Sequence, residues 1–224
     1  MTKTLTISGH RRPDYFARVM EALERCDGAS EYRVTAVLDP SDCTDQLSYI
    51  AKSHGIAVHI PGQHLGCGAA IRYCMELGFE ASDYHVHLED DTVPSRDALR
   101  WFEWAGRQAS PMTLTVSGYN QHGGGAPANA YGWRQWFTPW GWATWRDHWE
   151  KYLLPEWDCG FWDGGVQRIR DKLGMGEMFP RVSRIQNVGA TRGAFCPSED
   201  FHRQNHHATR VATPDESVER WIAA

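Results

Sequence analysis

The sequence predicts an α/β fold built on a mostly parallel, doubly wound sheet flanked by helices. Three observations carry that expectation. Short apolar strands alternate with amphipathic helical stretches from residue 5 to residue 116. The loops after the first, second and fourth strands carry His10-Arg11-Arg12, Asp39 and Glu89-Asp90-Asp91. Polar groups then gather at the carboxyl ends of strands, where open α/β sheets bind ligands. The alternation finally stops, and eight of the eleven tryptophans fall between Trp133 and Trp162, as expected of a second, aromatic core.

Each element has its own signal. Thr4-Leu5-Thr6-Ile7-Ser8 alternates as a strand. Pro13 suits a first helical turn, and Phe16, Val19, Met20 and Leu23 follow at helical spacing. Residues 34–38 form a second, largely apolar strand, a weaker helix fits 42–53, and 56–60 is a third strand. Gly66-Cys67-Gly68 opens a helix with Ala70, Ile71, Cys74 and Met75 on its apolar face. Tyr84, Val86 and Leu88 share one face of the fourth strand, His85 and His87 the other, and the strand runs into three carboxylates expected to project into solvent. Ser95 is expected to cap a helix with Leu99, Phe102 and Ala105 inside, and 114–116 starts a fifth strand. Gly123-Gly124-Gly125-Ala126-Pro127 reads as a loop, and 165–210, with little periodicity, is expected to be loop-rich.

Composition narrows the classes. A net charge of −5 argues against a general nucleic-acid coat protein. Residues 165–210 nevertheless hold eight Lys/Arg against four Asp/Glu. A basic C-terminal third beside an acidic centre suits a phosphorylated ligand bridged by a metal, and equally a solvated charged face. No apolar run approaches the roughly 20 residues of a membrane span. The N-terminus begins a strand instead of a signal peptide, so a cytoplasmic protein is expected. The six cysteines show no C-x-x-C pair and no zinc spacing, which points to reduced thiols.

The chemistry centres on Glu89-Asp90-Asp91. Three adjacent acids repel one another unless a cation or a hydrogen-bond network neutralises them. Hard oxygen ligands suit Mg²⁺ or Mn²⁺, ions that keep positions open for phosphate oxygens. An acidic turn capping the next helix is the competing reading.

The order of several motifs resembles the nucleotide-sugar glycosyltransferases of the GT-A fold, most closely the N-acetylglucosaminyltransferase I type. Ser8-Gly9-His10-Arg11-Arg12-Pro13 is similar to the first nucleotide-binding loop, Asp39 to the acid that contacts the base, and Gln63-His64-Leu65-Gly66 to a loop whose histidine touches the nucleotide. Leu88-Glu89-Asp90-Asp91 resembles the metal motif whose last acid binds Mn²⁺. Val116-Ser117-Gly118-Tyr119-Asn120 resembles the strand and loop beside the sugar, and the segment from Phe137 to Trp142 the family's Phe-x-x-x-Gly-Trp. Phe161-Trp162-Asp163 resembles the segment supplying the catalytic base, and Pro180 to Arg184 with Asn187-Val188-Gly189 the loop that closes over the donor. Two positions depart from the pattern: Gly164 stands where a second acid is expected, and Trp140 replaces a smaller residue.

The resemblance implies one GT-A domain over 1–224, with a nucleotide-sugar-binding half (1–118) and an acceptor-binding half (119–210). It implies a UDP-sugar donor, Mn²⁺ or Mg²⁺ on Asp91, and an inverting transfer with Asp163 as base. His10, Arg11, Arg12, Asp39, His64, Glu89, Asp90, Arg184 and Arg192 would contact the nucleotide sugar. Asn120, Trp140, Trp142 and Trp162 would meet the acceptor. His202 would be a further metal or diphosphate ligand, with His206 and His207 competing for that role. A helix N-cap or turn is the other reading of Asp163, with Asp147, Glu156 and Asp158 as reserve bases. The implied acceptor is a glycan precursor or a 5-hydroxymethylpyrimidine in DNA. A nucleotidyltransferase and a non-catalytic sugar-nucleotide-binding module are the rivals, against which the retained Glu-Asp-Asp and Phe-Trp-Asp stand.

Overall fold

A computed structural model describes residues 2–191 and 196–224. Nine strands form one sheet. Four of them make the expected parallel half: β1 (Lys3–Gly9), β2 (Tyr32–Leu38), β3 (Ala57–His59) and β4 (Tyr84–Glu89), lying in the order β3-β2-β1-β4. Helices α1 (Pro13–Glu24), α2 (Thr44–Ser53) and α3 (Cys67–Phe79) connect them. Pro13 supplies the first turn of α1, whose Phe16, Val19, Met20 and Leu23 are buried.

Past β4 the chain departs from simple alternation. A short strand, β5 (Thr92–Pro94), follows the acids directly and leaves the main sheet. Helix α4 (Ala98–Gln108) is capped at Asp97, not Ser95; the Ser95 hydroxyl instead donates to the Asp97 carboxylate. Strands β6 (Thr113–Ser117), β7 (Ala130–Arg134) and β8 (Trp142–Trp145) extend the sheet, with β8 inserted antiparallel between β4 and β6. A short α5 (Arg146–His148) continues into a π-helical turn.

The segment expected to be loop-rich is largely ordered. It contains α6 (Trp162–Leu173), β9 (Gly176–Pro180), β10 (Ile185–Asn187) and α7 (Glu199–Asn205). β9 lies inside the sheet between β6 and β7, β10 pairs with β5, and β11 (Ile222–Ala223) closes the edge on β7. β9 hides its strand pattern because a charged residue is buried in it. Glu177 is fully buried and accepts from Arg134 Nε (2.9 Å) and from the Thr115 and Thr138 hydroxyls (2.8 and 2.9 Å).

Two cores divide the molecule. One packs Leu5, Ile7, Phe16, Val86, Leu88, Trp101 and Phe102 around the sheet; the other gathers Phe137, Trp142, Trp149, Trp162 and Val166. The second is the expected aromatic core. It holds Trp142 (fully buried) and Trp162 (7% exposed), with ring centroids 6.1 Å apart. Both were expected to meet an acceptor. Both indoles pack into this core, and Trp162 also hydrogen-bonds the Cys67 side chain.

His85 and His87 are fully buried against β1, pairing with the hydroxyls of Thr4 (2.9 Å) and Thr6 (2.8 and 3.2 Å). Burial lowers both imidazoles to about 3, and for His87 the neighbouring His85 adds to the fall. They are therefore folded as neutral rings. Their stabilising contribution is complete above the unfolded-state value near 6.5 and is lost as pH falls from there toward 3. Urea unfolding at about pH 7.5 and about pH 5 should show a loss of roughly 2 kcal/mol per histidine. A His87→Leu variant should show about half that pH dependence.

Candidate active site

The strand order decides where the charged loops meet. β1 lies between β2 and β4, so the loops leaving their carboxyl ends converge. They line a cleft of about 530 Å³ with His10, Arg11, Arg12, Asp39, Glu89, Asp90 and Asp91, together with Cys67, Trp140, Asn187, Gly189 and His206. A volume in this range accommodates a drug-sized ligand.

The acids do not project into solvent as expected. Asp90 and Asp91 are 2% and 7% exposed, because Arg12 covers them. Arg12 Nη1 donates to Asp91 Oδ2 (2.6 Å) and Nη2 to Asp90 Oδ1, and the His10 amide donates to Asp90 Oδ2 (3.1 Å). Burial opposes the Arg12 charge, but the two carboxylates outweigh it and hold the guanidinium ionised. Burial also pushes the Asp90 carboxyl up, with Arg12 pulling against it. Half-buried Glu89 rises well above the usual carboxylate range, through desolvation first and the charge of Asp91 second. Three carboxylates thus share one monovalent cation.

One atom of this cluster is left over. Asp91 Oδ1 is buried and has no hydrogen-bond partner. A buried carboxylate oxygen without a donor is costly, and such an oxygen is the kind of ligand a hard divalent cation takes. That one open carboxylate oxygen fits Mn²⁺ or Mg²⁺, which Asp91 would hold together with oxygens of a ligand. The turn that aims it is built locally. Thr92 Oγ1 accepts from the Glu89 amide and donates to the Glu89 carbonyl (both 2.8 Å), and the β5–β10 pair brings Val188 N to the Asp91 carbonyl (2.8 Å). Gly189 then lies so close that a Cβ there would sit 2.1 Å from Asp91 Oδ2.

Asp39 serves the loop more than an open ligand position. Its oxygens accept from the amides of Leu65 (2.7 Å) and Gly66 (3.0 Å), and His64 Nδ1 lies 2.9 Å from Oδ2. His10 and His64 stack with centroids 5.0 Å apart. Their ligand atoms and that of Asp39 lie within 4.8 Å of one another. The stacked rings thus form a platform beside a carboxylate that is already bonded to two amides. Arg11 forms the bend before it, with φ of 54°, in the left-handed region unfavourable to a side-chain-bearing residue.

Several expected site residues lie elsewhere. Arg184 is fully buried, ion-paired to Asp97 (3.0 Å) and donating to the carbonyls of Val182 and Ala128 (both 2.7 Å). It ties β10 to the start of α4 and cannot reach a diphosphate. The Asn120 amide donates to the Arg181 carbonyl (2.6 Å), so it fastens a loop and does not line the cleft. His202 is 4% exposed and meets Asn187 Oδ1 (2.8 Å). It stands behind the cleft wall, whereas His206 is on it, against Trp140 (4.7 Å between centroids). Arg192 lies outside the described residues.

Asp163 lies in the first turn of α6, half-buried, its Oδ1 accepting from the Gly164 amide (2.8 Å). Its charge is the smallest of those that raise Glu89, and it is not among the residues that line the cleft. Gly164 has a packing reason, since a Cβ there would fall 2.0 Å from the Phe161 ring. That ring is 56% exposed beside Asp163. In the sequence Phe161 reads only as part of the Phe161-Trp162-Asp163 motif and Cys67 only as part of a helix opening, and neither is named as a site residue, because nothing in those motifs marks which side chain meets a cleft.

No protein-family model matches the chain, and no curated protein matches it in sequence. Solved structures do match its fold. The mannosyltransferase PcManGT from Pyrobaculum calidifontis, solved with GDP-Man and Mn²⁺, superposes with a TM-score of 0.59 at 17% identity, over 80% of this chain and 54% of that one. TarS of S. aureus gives 0.58 at 10% identity, over 85% and 37%. Glucosyl-3-phosphoglycerate synthase from Mycobacterium tuberculosis, solved with Mn²⁺, UDP and glucosyl-3-phosphoglycerate, gives 0.53 at 15% identity, over 77% and 66%. The chain thus spans from about a third to two thirds of these proteins. At such identities the likeness is one of architecture: a mixed, mostly parallel nine-stranded sheet flanked by helices, with a tryptophan-rich C-terminal part, which is the Rossmann-like GT-A glycosyltransferase fold.

Proposed function

We propose that this protein is a metal-dependent, inverting glycosyltransferase that moves a hexosyl or N-acetylhexosaminyl group from a UDP-sugar to an acceptor hydroxyl. The observation that carries the reading is the unpartnered, buried Asp91 Oδ1 on the wall of the cleft at the end of β4. The fold supports it, since the mannosyltransferase was solved with GDP-Man and Mn²⁺ and the synthase with Mn²⁺ and UDP. The motif order supports the N-acetylglucosaminyltransferase I type.

In this reading the stacked His10 and His64 take the flat base beside Asp39. Arg11 and Arg12 meet the phosphates, and Glu89 and Asp90 the ribose or sugar. A divalent cation on Asp91 supplies Lewis-acid stabilisation of the charge developing on the leaving diphosphate. Asp163 accepts the proton of the acceptor hydroxyl as its oxygen bonds to the anomeric carbon and the bond to the diphosphate oxygen breaks. Trp140, on the cleft wall, and the exposed Phe161 offer apolar faces to the acceptor. The rim near Phe161 carries Asp163 and the Asp158–Arg168 ion pair, which leaves one carboxylate unneutralised to repel a phosphate backbone. That favours a glycan precursor over a hydroxymethylated pyrimidine in DNA. Among the described residues no helix is long and apolar enough to cross a membrane.

Calorimetry should find that the wild type binds UDP with Mn²⁺ and loses that binding in EDTA, and that Asp91→Asn does not respond to Mn²⁺. Equal UDP binding with and without Mn²⁺ in the wild type would remove the metal from the account. Asp163→Asn should keep the donor dissociation constant and lose about 10²–10⁴ in turnover. Hydrolysis of a UDP-sugar by the wild type separates a catalyst from a binding module, and release of pyrophosphate from UTP would mark a nucleotidyltransferase instead. Gly189→Ala should stay folded by circular dichroism yet weaken Mn²⁺-dependent UDP binding, because the added methyl must displace the Asp91 carboxylate.

A further inference from the structure

Arg12 holds the acids in an arrangement that a bound metal cannot leave intact. Its guanidinium does not fork onto both oxygens of one carboxylate. It spans two, with one nitrogen on Asp90 and the other on Asp91 at 2.6 Å. The pair is shielded, the side chains of Arg12, Asp90 and Asp91 being 15%, 3% and 10% exposed. Among the described residues no other cation is ion-paired to either acid. Asp91 therefore offers its free Oδ1 to an ion while its Oδ2 is bound to a positive charge that cannot be shed, because arginine does not deprotonate in proteins. Two cations on one carboxylate in a poorly solvated cleft repel strongly.

We propose that Arg12 is a built-in counter-cation, which occupies the acid pair when the cleft is empty and passes to the diphosphate when metal and nucleotide arrive together. The proposal rests on the nucleotide-sugar reading of the cleft and adds an order to it. In the empty protein Arg12 removes the repulsion among carboxylates that would otherwise loosen the turn after β4. A metal alone is then disfavoured, because it evicts the guanidinium without offering it a new partner. A diphosphate supplies that partner, since its oxygens match the planar fork of arginine as well as a carboxylate does. Metal and nucleotide are thereby coupled positively. By linkage each tightens the other by the same factor, typically about 5–150-fold. The bend at Arg11 places Arg12 where it can serve both partners, at the mouth of a loop that lines the cleft.

The test uses the full chain, Mn²⁺ and UDP. Mn²⁺ binding is read from loss of the free-ion electron paramagnetic resonance signal, in the wild type and in Arg12→Gln, Arg12→Lys and Asp91→Asn. The wild type should bind Mn²⁺ weakly alone and about tenfold or more tightly with UDP. Arg12→Gln should bind Mn²⁺ alone about tenfold tighter than the wild type, and the enhancement by UDP should shrink by a similar factor. Mn²⁺ should also raise its melting temperature by more. If Arg12→Gln does not fold, Arg12→Lys decides: it keeps the charge without the fork, so Mn²⁺ alone should bind it more tightly than the wild type. Either folded variant binding Mn²⁺ no tighter than the wild type overturns the proposal. Wild-type affinity retained in Asp91→Asn overturns instead the metal site beneath it, so the two failures are distinguishable.

Discussion

The ion cluster at the end of β4 is the constraint around which the other parts are arranged. β4 lies inside the sheet, between β1 and β8, so the three carboxylates that follow it are not free to spread into solvent. Arg12 must come from the neighbouring strand's loop to cover Asp90 and Asp91. The small β5–β10 sheet places Val188 and Gly189 against Asp91, and α7 backs Asn187 with His202. Elements nearly a hundred residues apart in sequence thus meet at one carboxylate. The arrangement is electrostatically incomplete with protein groups alone, since one guanidinium faces three acids and an oxygen remains without a donor.

Two other buried charge pairs among the described residues are fully bonded and do structural work. Arg184 with Asp97 and Arg134 with Glu177 are buried pairs, each also bonded to backbone or hydroxyl groups. Such pairs add little net stability over an apolar replacement, but losing one member strands the other at a cost of about 3–5 kcal/mol. Here they lock register. Glu177 joins β9 to β6 and β7, and Arg184 ties β10 to the cap of α4. The contrast with Asp91 is the physical difference between a charge that specifies the fold and one left open to a ligand.

The parallel half was legible because its signals are local. Alternation in β1 and β4, Pro13 at the start of α1 and the glycines opening α3 all report on backbone and burial within a few residues. The clustering of His10, Arg12, Asp39 and the three acids followed from topology alone. The second half resisted for equally physical reasons. β9 conceals its period behind a buried glutamate, and α6 begins with two glycines, which lower helical propensity. A tryptophan reads the same whether it packs inward like Trp142 or lines a cleft like Trp140, and an arginine the same whether buried like Arg184 or poised like Arg12. Burial is set by distant partners, which no window of sequence contains.

In the proposed reading the acceptor side turns on Gly164, which stands where the family pattern has a second acid. With glycine at 164 the ring of Phe161 lies flat on the first turn of α6, where a side chain would have excluded it. The turn then carries a single carboxylate, Asp163, with the exposed Phe161 ring next to it. The nearby acids that could compete as bases are already engaged. Asp158 accepts from the amides of Gly160 and Phe161 and pairs with Arg168, Glu156 pairs with Lys172, and Asp147 accepts from the His148 amide. Among the described residues Asp163 accepts from the amide next to it, through Oδ1; in the proposed reading its second oxygen takes the proton. Losing the second acid therefore narrows the chemistry of this turn to one group and gives the space released to a surface on which an acceptor can rest.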